Sequence, residues 1–363
     1  MQYVDLVTQY KDIEDEIQKA IQGVLDTGRF IMGPEVKSLE EEVADYLDIG
    51  YAVGCASGTD ALQIALMAYD IGPGDEVITT PFTFVATVEV IALLGAEPVY
   101  VDIEPKGYTI NPAVLEEAIT EKTRAIIPVH LYGQCANIEQ IMEIAQKHDL
   151  RVIEDAAQAI GATRNGTPAG TLGDIGCISF FPSKNLGAFG DAGMMVTDDA
   201  DLAEKLRMIT KHGSRIKYQH EVLGVNSRLD ALQAAILRVK LRYLDKWNEG
   251  RAAVARNYSN GITAEEVTKP TILEGNTHIF HQYSIQVPDR EDFRAHLNSH
   301  DIPTAIHYPI PLHKQPAFRE TGRNTGVPVS ERVAEHIVSL PMYPEMPASD
   351  QELVIETVNG YFS

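Results

Sequence analysis

Strand-like apolar runs alternate with helical segments through the first half of the chain. The runs predict buried strands at 51–55, 77–80, 98–101, 124–129 and 151–154. The segments between them space their apolar residues as helices do, near 60–68, 84–94, 112–119 and 138–148. Repeated βα units of this length form a mostly parallel sheet that helices cover on both faces. The alternation therefore predicts an α/β fold, whose ligands bind at the carboxyl ends of the strands.

The pattern changes to α+β beyond about residue 245. A strand-like run at 280–287, a helix at 290–300 and a short strand at 304–306 precede two last helices, near 330–339 and 349–361. We therefore predict a large domain at 1–245 and a smaller C-terminal domain at 246–363. With 363 residues the chain is long enough for each of these two domains to have its own core.

Composition and charge exclude several classes of function. The net charge of −22 argues against nucleic acid or an anionic membrane as a partner. No apolar run approaches the roughly 20 residues that span a bilayer, and the N-terminus lacks a signal-like apolar region. The three cysteines, Cys55, Cys135 and Cys177, have no CxxC spacing and are expected to be reduced. These features predict a cytoplasmic protein.

Lys184 stands in an unusual setting between two predicted strands. A strand-like run at 177–181 ends at Pro182, and a glycine-rich bend then carries Lys184 towards a second strand at 194–197. In a buried setting the ammonium is disfavoured, so that the neutral amine needed for Schiff-base chemistry becomes available at neutral pH. The alternative is a surface lysine in a hairpin loop.

Asp155 follows a buried strand and lies 29 positions before Lys184. A strand–helix–strand detour of that length brings both residues to one crevice. A carboxylate that faces a ring nitrogen and a lysine that faces a carbonyl are the two contacts that pyridoxal 5′-phosphate (PLP) requires. The alternative for Asp155 is the N-cap of a following helix.

A candidate anion site follows the first predicted strand. Ser57, Gly58 and Thr59 lead into a helix, and the free N–H groups and dipole of a helix N-terminus favour phosphate. Taken alone this signal is weak, because a serine or threonine before a helix is in most cases an ordinary N-cap.

A second helix start is predicted at Ser227. Asp230 follows three residues later, as in a capping box, and the helix is expected to reach about residue 258. Arg228 would then oppose the dipole in the first turn, which indicates that an anion lies nearby.

Histidines also cluster in the C-terminal part, at His278, His281, His300, His307 and His313. They lack HExxH spacing and have no CxxC neighbour, so that no metal site is predicted. His307 and Tyr308 belong to a proline-rich loop, for which a rigid turn is the alternative to a substrate contact.

Four segments carry a family resemblance. They are Ser-Gly-Thr-Asp-Ala-Leu at 57–62, Glu-Asp-Ala-Ala-Gln at 154–158, Ser-Phe-Phe-Pro-Ser-Lys at 179–184 and Asn-Ser-Arg-Leu-Asp-Ala-Leu-Gln at 226–233. In this order they resemble the PLP-dependent nucleotide-sugar aminotransferases of the DegT/DnrJ/EryC1/StrS family. The resemblance covers nearly the whole chain. It implies the fold of type I PLP enzymes (aspartate aminotransferase-like) and a homodimer with shared active sites.

The resemblance also implies roles for individual residues. Lys184 would bind PLP covalently and act as general base and acid, and Asp155 would keep the pyridine nitrogen protonated. The other cofactor contacts implied are Gly58, Thr59 and Ser179 at the phosphate, Phe84 and Gln158 at the ring, and Asn226 of the partner subunit at the phosphate. Arg228, His307 and Tyr308 would bind the nucleotide substrate across the subunit boundary.

The implied reaction moves an amino group from L-glutamate to a nucleotide-linked ketosugar. The segments 226–237 and 303–316 look most like enzymes acting on UDP-2-acetamido-2-deoxy-3-oxo-glucuronate in bacterial surface-polysaccharide (O-antigen) pathways. A dTDP-3-keto-6-deoxyhexose is the alternative substrate. A sugar dehydratase of this fold would carry histidine in place of Lys184, and a non-catalytic sensor would be expected to lose Lys184 or Asp155.

Overall fold

The computed structural model describes residues 1–363. Its helices are α1 (Leu6–Lys11), α2 (Glu14–Thr27), α3 (Pro34–Leu47), α4 (Gly58–Ala68), α5 (Ala86–Leu93), α6 (Ile138–Lys147), α7 (Ala200–Ile209), α8 (Ala231–Leu241), α9 (Leu244–Gly261), α10 (Arg290–Ser299), α11 (Pro328–His336) and α12 (Ala348–Tyr361). Its strands are β1 (Tyr51–Cys55), β2 (Glu76–Thr79), β3 (Glu97–Tyr100), β4 (Thr123–Ile126), β5 (Arg151–Asp155), β6 (Thr163–Arg164), β7 (Thr167–Pro168), β8 (Ile175–Ser179), β9 (Gly193–Thr197), β10 (Ser214–Ile216), β11 (Gln219–His220), β12 (Tyr283–Gln286), β13 (Arg323–Asn324) and β14 (Ile337–Leu340).

Eight strands form one large sheet in the order β1-β9-β8-β5-β4-β2-β3-β13. Every pair from β8 to β13 is parallel, and β9 alone runs antiparallel to its neighbours. The predicted mostly parallel sheet is therefore confirmed. Because β5 and β8 pair in parallel, with Asp155 opposite Cys177, the chain leaves both strands at the same edge. Asp155 and the turn after Ser179 therefore lie close together at this edge of the sheet.

Helices cover both faces of this sheet, as the alternation predicts. One apolar cluster packs α4, α5 and α7 against one face, with Leu62, Ile91 and Leu206 buried in it. A second cluster packs α3 and α8 against the other face around Leu39 and Leu237. Strands buried on both faces read as continuous apolar runs, which is the pattern that identified them.

A separate apolar cluster gathers α9, β12, α10, β14 and α12. The antiparallel pair β12–β14 lies within it. The first residues of the chain join this cluster, since Met1 packs against it and the N–H of Met342 donates to the carbonyl of Tyr3 at 3.2 Å. The strand β13 instead returns to the large sheet beside β3. No helix has both the length and the apolar content needed to cross a membrane.

Three helix predictions are wrong in part. The segment 112–119 forms two 3₁₀ turns, Pro112–Val114 and Glu116–Ala118, because Ile119 is already extended. The long helix predicted from 227 to 258 is two helices, α8 and α9, separated at Arg242 and Tyr243. The helix predicted at 330–339 ends at His336, because the next four residues are buried and pair as β14.

A buried carboxylate anchors the loop that precedes β8. Glu154 accepts backbone N–H groups of Gly170 at 2.9 Å, Leu172 at 2.7 Å and Gly173 at 2.6 Å. It also contacts Nε2 of His130 at 2.6 Å. Nδ1 of His130 accepts the N–H of Ala136 at 3.1 Å, so that Nε2 carries the proton and donates. Glu154 is fully buried, and its carboxylate is the hydrogen-bond acceptor for all four of these donors.

We expect Glu154→Ala to lower the free energy of unfolding by roughly 3 kcal/mol or more, because it leaves several buried donors unpaired. Urea unfolding of the purified protein measures the change. The matched control is Glu335→Ala, which removes an exposed glutamate of α11 and should stay within about 0.5 kcal/mol of wild type. Equal unfolding curves for the two variants would contradict the anchoring role.

Candidate active site

A cavity of about 470 Å³ opens at the carboxyl edge of the sheet, within the size range of small-molecule sites. Nine of the eleven site residues predicted from the sequence line it: Gly58, Thr59, Phe84, Asp155, Gln158, Ser179, Lys184, His307 and Tyr308. Asn226 and Arg228 do not. Ser57 of the predicted anion site lines it too, and so do side chains that were not predicted, among them Ser183, Asp191, His281 and Gln282.

Lys184 lies in a tight turn between β8 and β9. Its backbone N–H donates to the carbonyl of Phe181 at 2.8 Å. Gly187 closes the turn so tightly that a Cβ there would lie 2.2 Å from the carbonyl oxygen of Pro182. Burial lowers the pKa of Lys184 from 10.5 to about 8, and the nearby carboxylate of Asp155 opposes part of that shift. The turn therefore presents to the cavity a lysine that is readily deprotonated, and not a surface hairpin lysine.

Asp155 ends β5 with its carboxylate held from two sides. Oδ2 accepts the hydroxyl of Thr87 at 2.7 Å, and Oδ1 accepts the N–H of Ala157 at 3.2 Å. The residues that follow form turns, so that the alternative of a helix N-cap is wrong. Thr87 was missed from the sequence. The available signal was its place one helical turn after Phe84.

Gln158 joins two parts of the cavity wall. Its Oε1 accepts the backbone N–H of Tyr132 at 2.8 Å, and its Nε2 donates to Oη of Tyr308 at 3.2 Å. The ring of Tyr308 lies 6.2 Å from that of Phe84, which is half exposed. These contacts set the aromatic rim of the cavity.

The N-terminus of α4 lies at one end of the cavity. The hydroxyl of Ser57 caps the helix by accepting the N–H of Asp60 at 3.1 Å, while the N–H groups of Gly58 and Thr59 have no partner within the helix. A Cβ on Gly58 would lie 2.6 Å from Cβ of Ser179, so that only glycine permits this close approach. Free first-turn donors beside a serine suit a phosphate group.

The cavity holds only one lysine or arginine, Lys184, but two aspartates. His307 contacts Oγ of Ser339 through Nδ1 at 3.0 Å, and burial followed by the charge of Lys184 lowers its pKa from 6.5 to about 4. Burial and Lys184 also hold the pKa of His281 well below its usual value. At neutral pH neither imidazole supplies a positive charge.

The capping box predicted at Ser227 is wrong. α8 begins at Ala231, and the hydroxyl of Ser227 instead donates to Oδ2 of Asp60 at 2.6 Å and accepts the N–H of Ala56 at 3.0 Å. Arg228 thus precedes the helix and is not in its first turn. It is half-buried, forms no ion pair and donates no side-chain hydrogen bond within the chain, and Asn226 beside it is exposed.

Comparison with known proteins agrees with this geometry. The DegT/DnrJ/EryC1/StrS aminotransferase family matches residues 11–359. A UDP-N-acetyl-3-dehydro-alpha-D-glucosamine 3-aminotransferase of Acidithiobacillus ferrooxidans is 50% identical over 94% of this chain and 93% of its own. The UDP-2-acetamido-2-deoxy-3-oxo-D-glucuronate aminotransferase of Pseudomonas aeruginosa is 46% identical over 98% of both chains. A pleiotropic regulatory protein of Geobacillus stearothermophilus is 49% identical over 99% of this chain and 98% of its own.

A relative whose name gives a dTDP-linked sugar, in place of a UDP-linked one, is similar as well. A dTDP-3-amino-3,6-dideoxy-alpha-D-galactopyranose transaminase of Aneurinibacillus thermoaerophilus is 45% identical over 96% of both chains.

Solved structures share the fold over the whole chain. A DegT/DnrJ/EryC1/StrS aminotransferase from Brucella abortus superposes with a TM-score of 0.96 at 41% identity, covering 100% of both chains. NtdA of Bacillus subtilis, solved with bound pyridoxamine phosphate, gives a TM-score of 0.91 at 35% identity over 97% of this chain and 82% of its own. The chain therefore belongs to the DegT/DnrJ/EryC1/StrS family of PLP-dependent sugar aminotransferases.

Proposed function

We propose that this aminotransferase moves the amino group of L-glutamate to UDP-2-acetamido-2-deoxy-3-oxo-glucuronate, for a bacterial surface-polysaccharide such as O-antigen. The observation that carries the proposal is the single cavity in which Lys184, Asp155 and the N-terminus of α4 meet. The choice of sugar is supported by the similarity, at 46–50% identity, to two enzymes named for UDP-linked 3-oxo sugars. We infer that it acts in the cytoplasm, because its three cysteines are free and buried, as is usual for proteins of a reducing compartment.

The donor set of the cavity fits PLP. Gly58, Thr59 and Ser179 offer donors for its phosphate, Phe84 an aromatic face, and Asp155 a carboxylate for its ring nitrogen. When bound, PLP supplies an electron sink for the bond that breaks at the substrate carbon. The hydrogen bond from Thr87 keeps Asp155 oriented as an acceptor.

Lys184 is suited to two tasks. With a pKa of about 8, roughly a tenth of Lys184 carries a neutral amine at pH 7, far more than at the ordinary pKa of 10.5, and this amine can attack a carbonyl carbon. After displacement by an amino donor, the same Nζ can accept a proton from the substrate carbon and return it at another position. A pKa close to the working pH favours both directions of transfer.

A second copy of the chain would complete the site. Glutamate, the cofactor phosphate and the nucleotide diphosphate are anions, whereas the cavity has no arginine and the chain carries a net charge of −22. Arg228 has no anionic partner in its own chain, and Asn226 is exposed beside it. We infer a homodimer in which Asn226 reaches the partner's cofactor phosphate and Arg228 the partner's nucleotide, with His307 and Tyr308 also bordering the sugar.

A dTDP-3-keto-6-deoxyhexose is the second candidate substrate, since a transaminase named for a dTDP-aminosugar is 45% identical. A non-catalytic sensor is a further alternative, since a protein named as regulatory is 49% identical. A dehydratase would carry histidine at position 184, and both Lys184 and Asp155 line the cavity here. The presence of Lys184 and Asp155 favours an aminotransferase over the sensor and the dehydratase.

The test is a panel of UDP- and dTDP-linked aminosugars in the reverse direction, with 2-oxoglutarate as acceptor and glutamate formation as the readout. We expect the highest kcat/KM with the UDP-linked 3-amino glucuronate. Faster turnover of the dTDP-linked 3-amino-6-deoxyhexose would assign the second substrate. Bound cofactor without turnover of any panel member would favour the sensor.

Asp155→Asn should lower kcat by several hundredfold or more, because the amide cannot hold a proton on the ring nitrogen and each ~1.4 kcal/mol lost from transition-state stabilisation is about tenfold in rate. Steady-state kinetics of the cofactor-loaded enzyme measure the loss. Asp191→Asn, at the exposed aspartate of the same cavity, is the matched control and should have a much smaller effect. Near-wild-type activity of Asp155→Asn would show that the carboxylate is only structural.

Mixed dimers test the shared site. Lys184→Ala and Asn226→Asp chains, each inactive alone, should together form dimers with one intact site and one doubly defective site. Co-refolding should therefore restore up to about half of wild-type activity per mixed dimer, measured by glutamate formation after the mixed species is separated by affinity tags.

The crossover control carries both substitutions on one chain paired with a wild-type chain. If the sites are shared, each of its two sites has one defect and the mixed dimer is inactive. If each chain builds its own site, this dimer keeps half of its activity and the first mixture stays inactive, which would contradict the proposal.

A further inference from the structure

A chain of hydrogen bonds links the amino-terminal segment to the residue after Lys184. The hydroxyl of Tyr3 donates to Oε1 of Gln282 at 2.5 Å, and Nε2 of Gln282 lies 3.5 Å from Nε2 of His281. Nδ1 of His281 then lies 3.2 Å from Oδ1 of Asn185. Asn185, His281 and Gln282 are all buried, and the last two line the cavity.

The donors and acceptors in this row of hydrogen bonds are mutually consistent. Nδ2 of Asn185 donates to Oδ1 of Asn248 at 2.7 Å and to the carbonyl of Ile279 at 3.2 Å, which leaves Oδ1 to face His281. Nδ1 of His281 must therefore carry the proton. The Tyr3 hydroxyl occupies Oε1 of Gln282, so that the amide donors of Gln282 face the lone pair on Nε2 of the imidazole. Asn185 on one side and Gln282 on the other therefore specify the same neutral tautomer of His281, with the proton on Nδ1.

The surroundings oppose a charged imidazole. Lys184, Arg251 and His307 are the titratable groups around His281, and all three, like burial, disfavour its protonated form. Asp155 is the carboxylate that acts on Lys184. The histidine set aside as a metal ligand in the sequence is thus a neutral donor in the cavity wall.

We propose that His281 is a positioning residue for Lys184: through Asn185 it holds the lysine turn against α9 and the segment 279–282. The role matters for turnover only if Lys184 is the cofactor lysine, and so rests on the proposed function. Asn248 extends the contact on α9, since its Nδ2 donates to the carbonyl of Ile160 at 3.3 Å. The turn that presents Lys184 is therefore tied to α9, which belongs to the C-terminal cluster, and through Asn248 to Ile160 of the cluster around Leu39 and Leu237.

Loss of the Nδ1 donor has a measurable consequence at Lys184. Oδ1 of Asn185 would be buried without a partner, and the turn would have to open to hydrate it. The ammonium of Lys184, which is only partly exposed at the cavity, would then gain further contact with water and lose part of the burial that lowers its pKa. The pKa of Lys184 should rise from about 8 towards its ordinary value.

The test compares His281→Leu with His281→Asn in the cofactor-free protein. The asparagine amide can donate as Nδ1 does, whereas leucine has similar size and no donor. A brief pulse of acetic anhydride from about pH 6 to about pH 11, followed by peptide mass spectrometry, gives the midpoint of Lys184 labelling. We expect wild type and His281→Asn near pH 8, and His281→Leu higher by about one pH unit or more.

A folded His281→Leu variant with the wild-type midpoint, or equal shifts in both variants, would overturn the proposal. A merely structural role would lower the melting temperature without moving the midpoint. If His281→Leu does not fold, histidine ¹⁵N resonances of the wild-type protein decide: an unchanging Nδ1–H tautomer between about pH 6 and pH 9 supports the proposal, and an Nε2–H tautomer or a titration overturns it.

The result is independent of the cofactor, since labelling is read in its absence. A failure of Lys184 to bind PLP would leave the labelling midpoints unchanged, so that the two ideas fail separately.

Discussion

The parallel pairing of β5 with β8 is the constraint on which the site depends. It brings the end of β5 and the turn after β8 to the same edge of the sheet, so that a carboxylate and a lysine separated by 29 residues meet in one cavity. The same turn buries Lys184 enough to lower its pKa to about 8. The low pKa of Lys184 and its place beside Asp155 are thus consequences of sheet topology combined with a tight, glycine-closed turn.

A low pKa does not by itself identify the reactive lysine. Lys240 is more deeply buried than Lys184, and burial lowers its pKa to about 8 as well. Its Nζ, however, donates to the carbonyl of Gly187 and lies 5.7 Å from the centre of the Trp247 ring, outside the cavity. Lys240 supports the turn from behind, whereas Lys184 faces the cavity and Asp155. Geometry, and not acidity, distinguishes the two.

Local patterns predicted the parts of the site that depend on neighbours in sequence. Asp155 ends β5 and Lys184 follows β8, and these positions direct both residues to the sheet edge. Prediction failed where a distant partner decides the structure. Ser227 bonds Asp60, 167 positions away, instead of capping a helix, and the contact of Tyr3 with Gln282 spans 279 positions. No local pattern contains such pairings, because tertiary contacts override capping and helix propensity.

The most direct test of the account is where PLP becomes attached to the chain. Borohydride reduction of the cofactor-loaded protein, followed by peptide mapping, locates the modified lysine. We expect reduced cofactor on Lys184 alone, with none on Lys240 despite its similar pKa. Reduced cofactor on Lys240 or on any other lysine would contradict the assignment of this cavity as the active site.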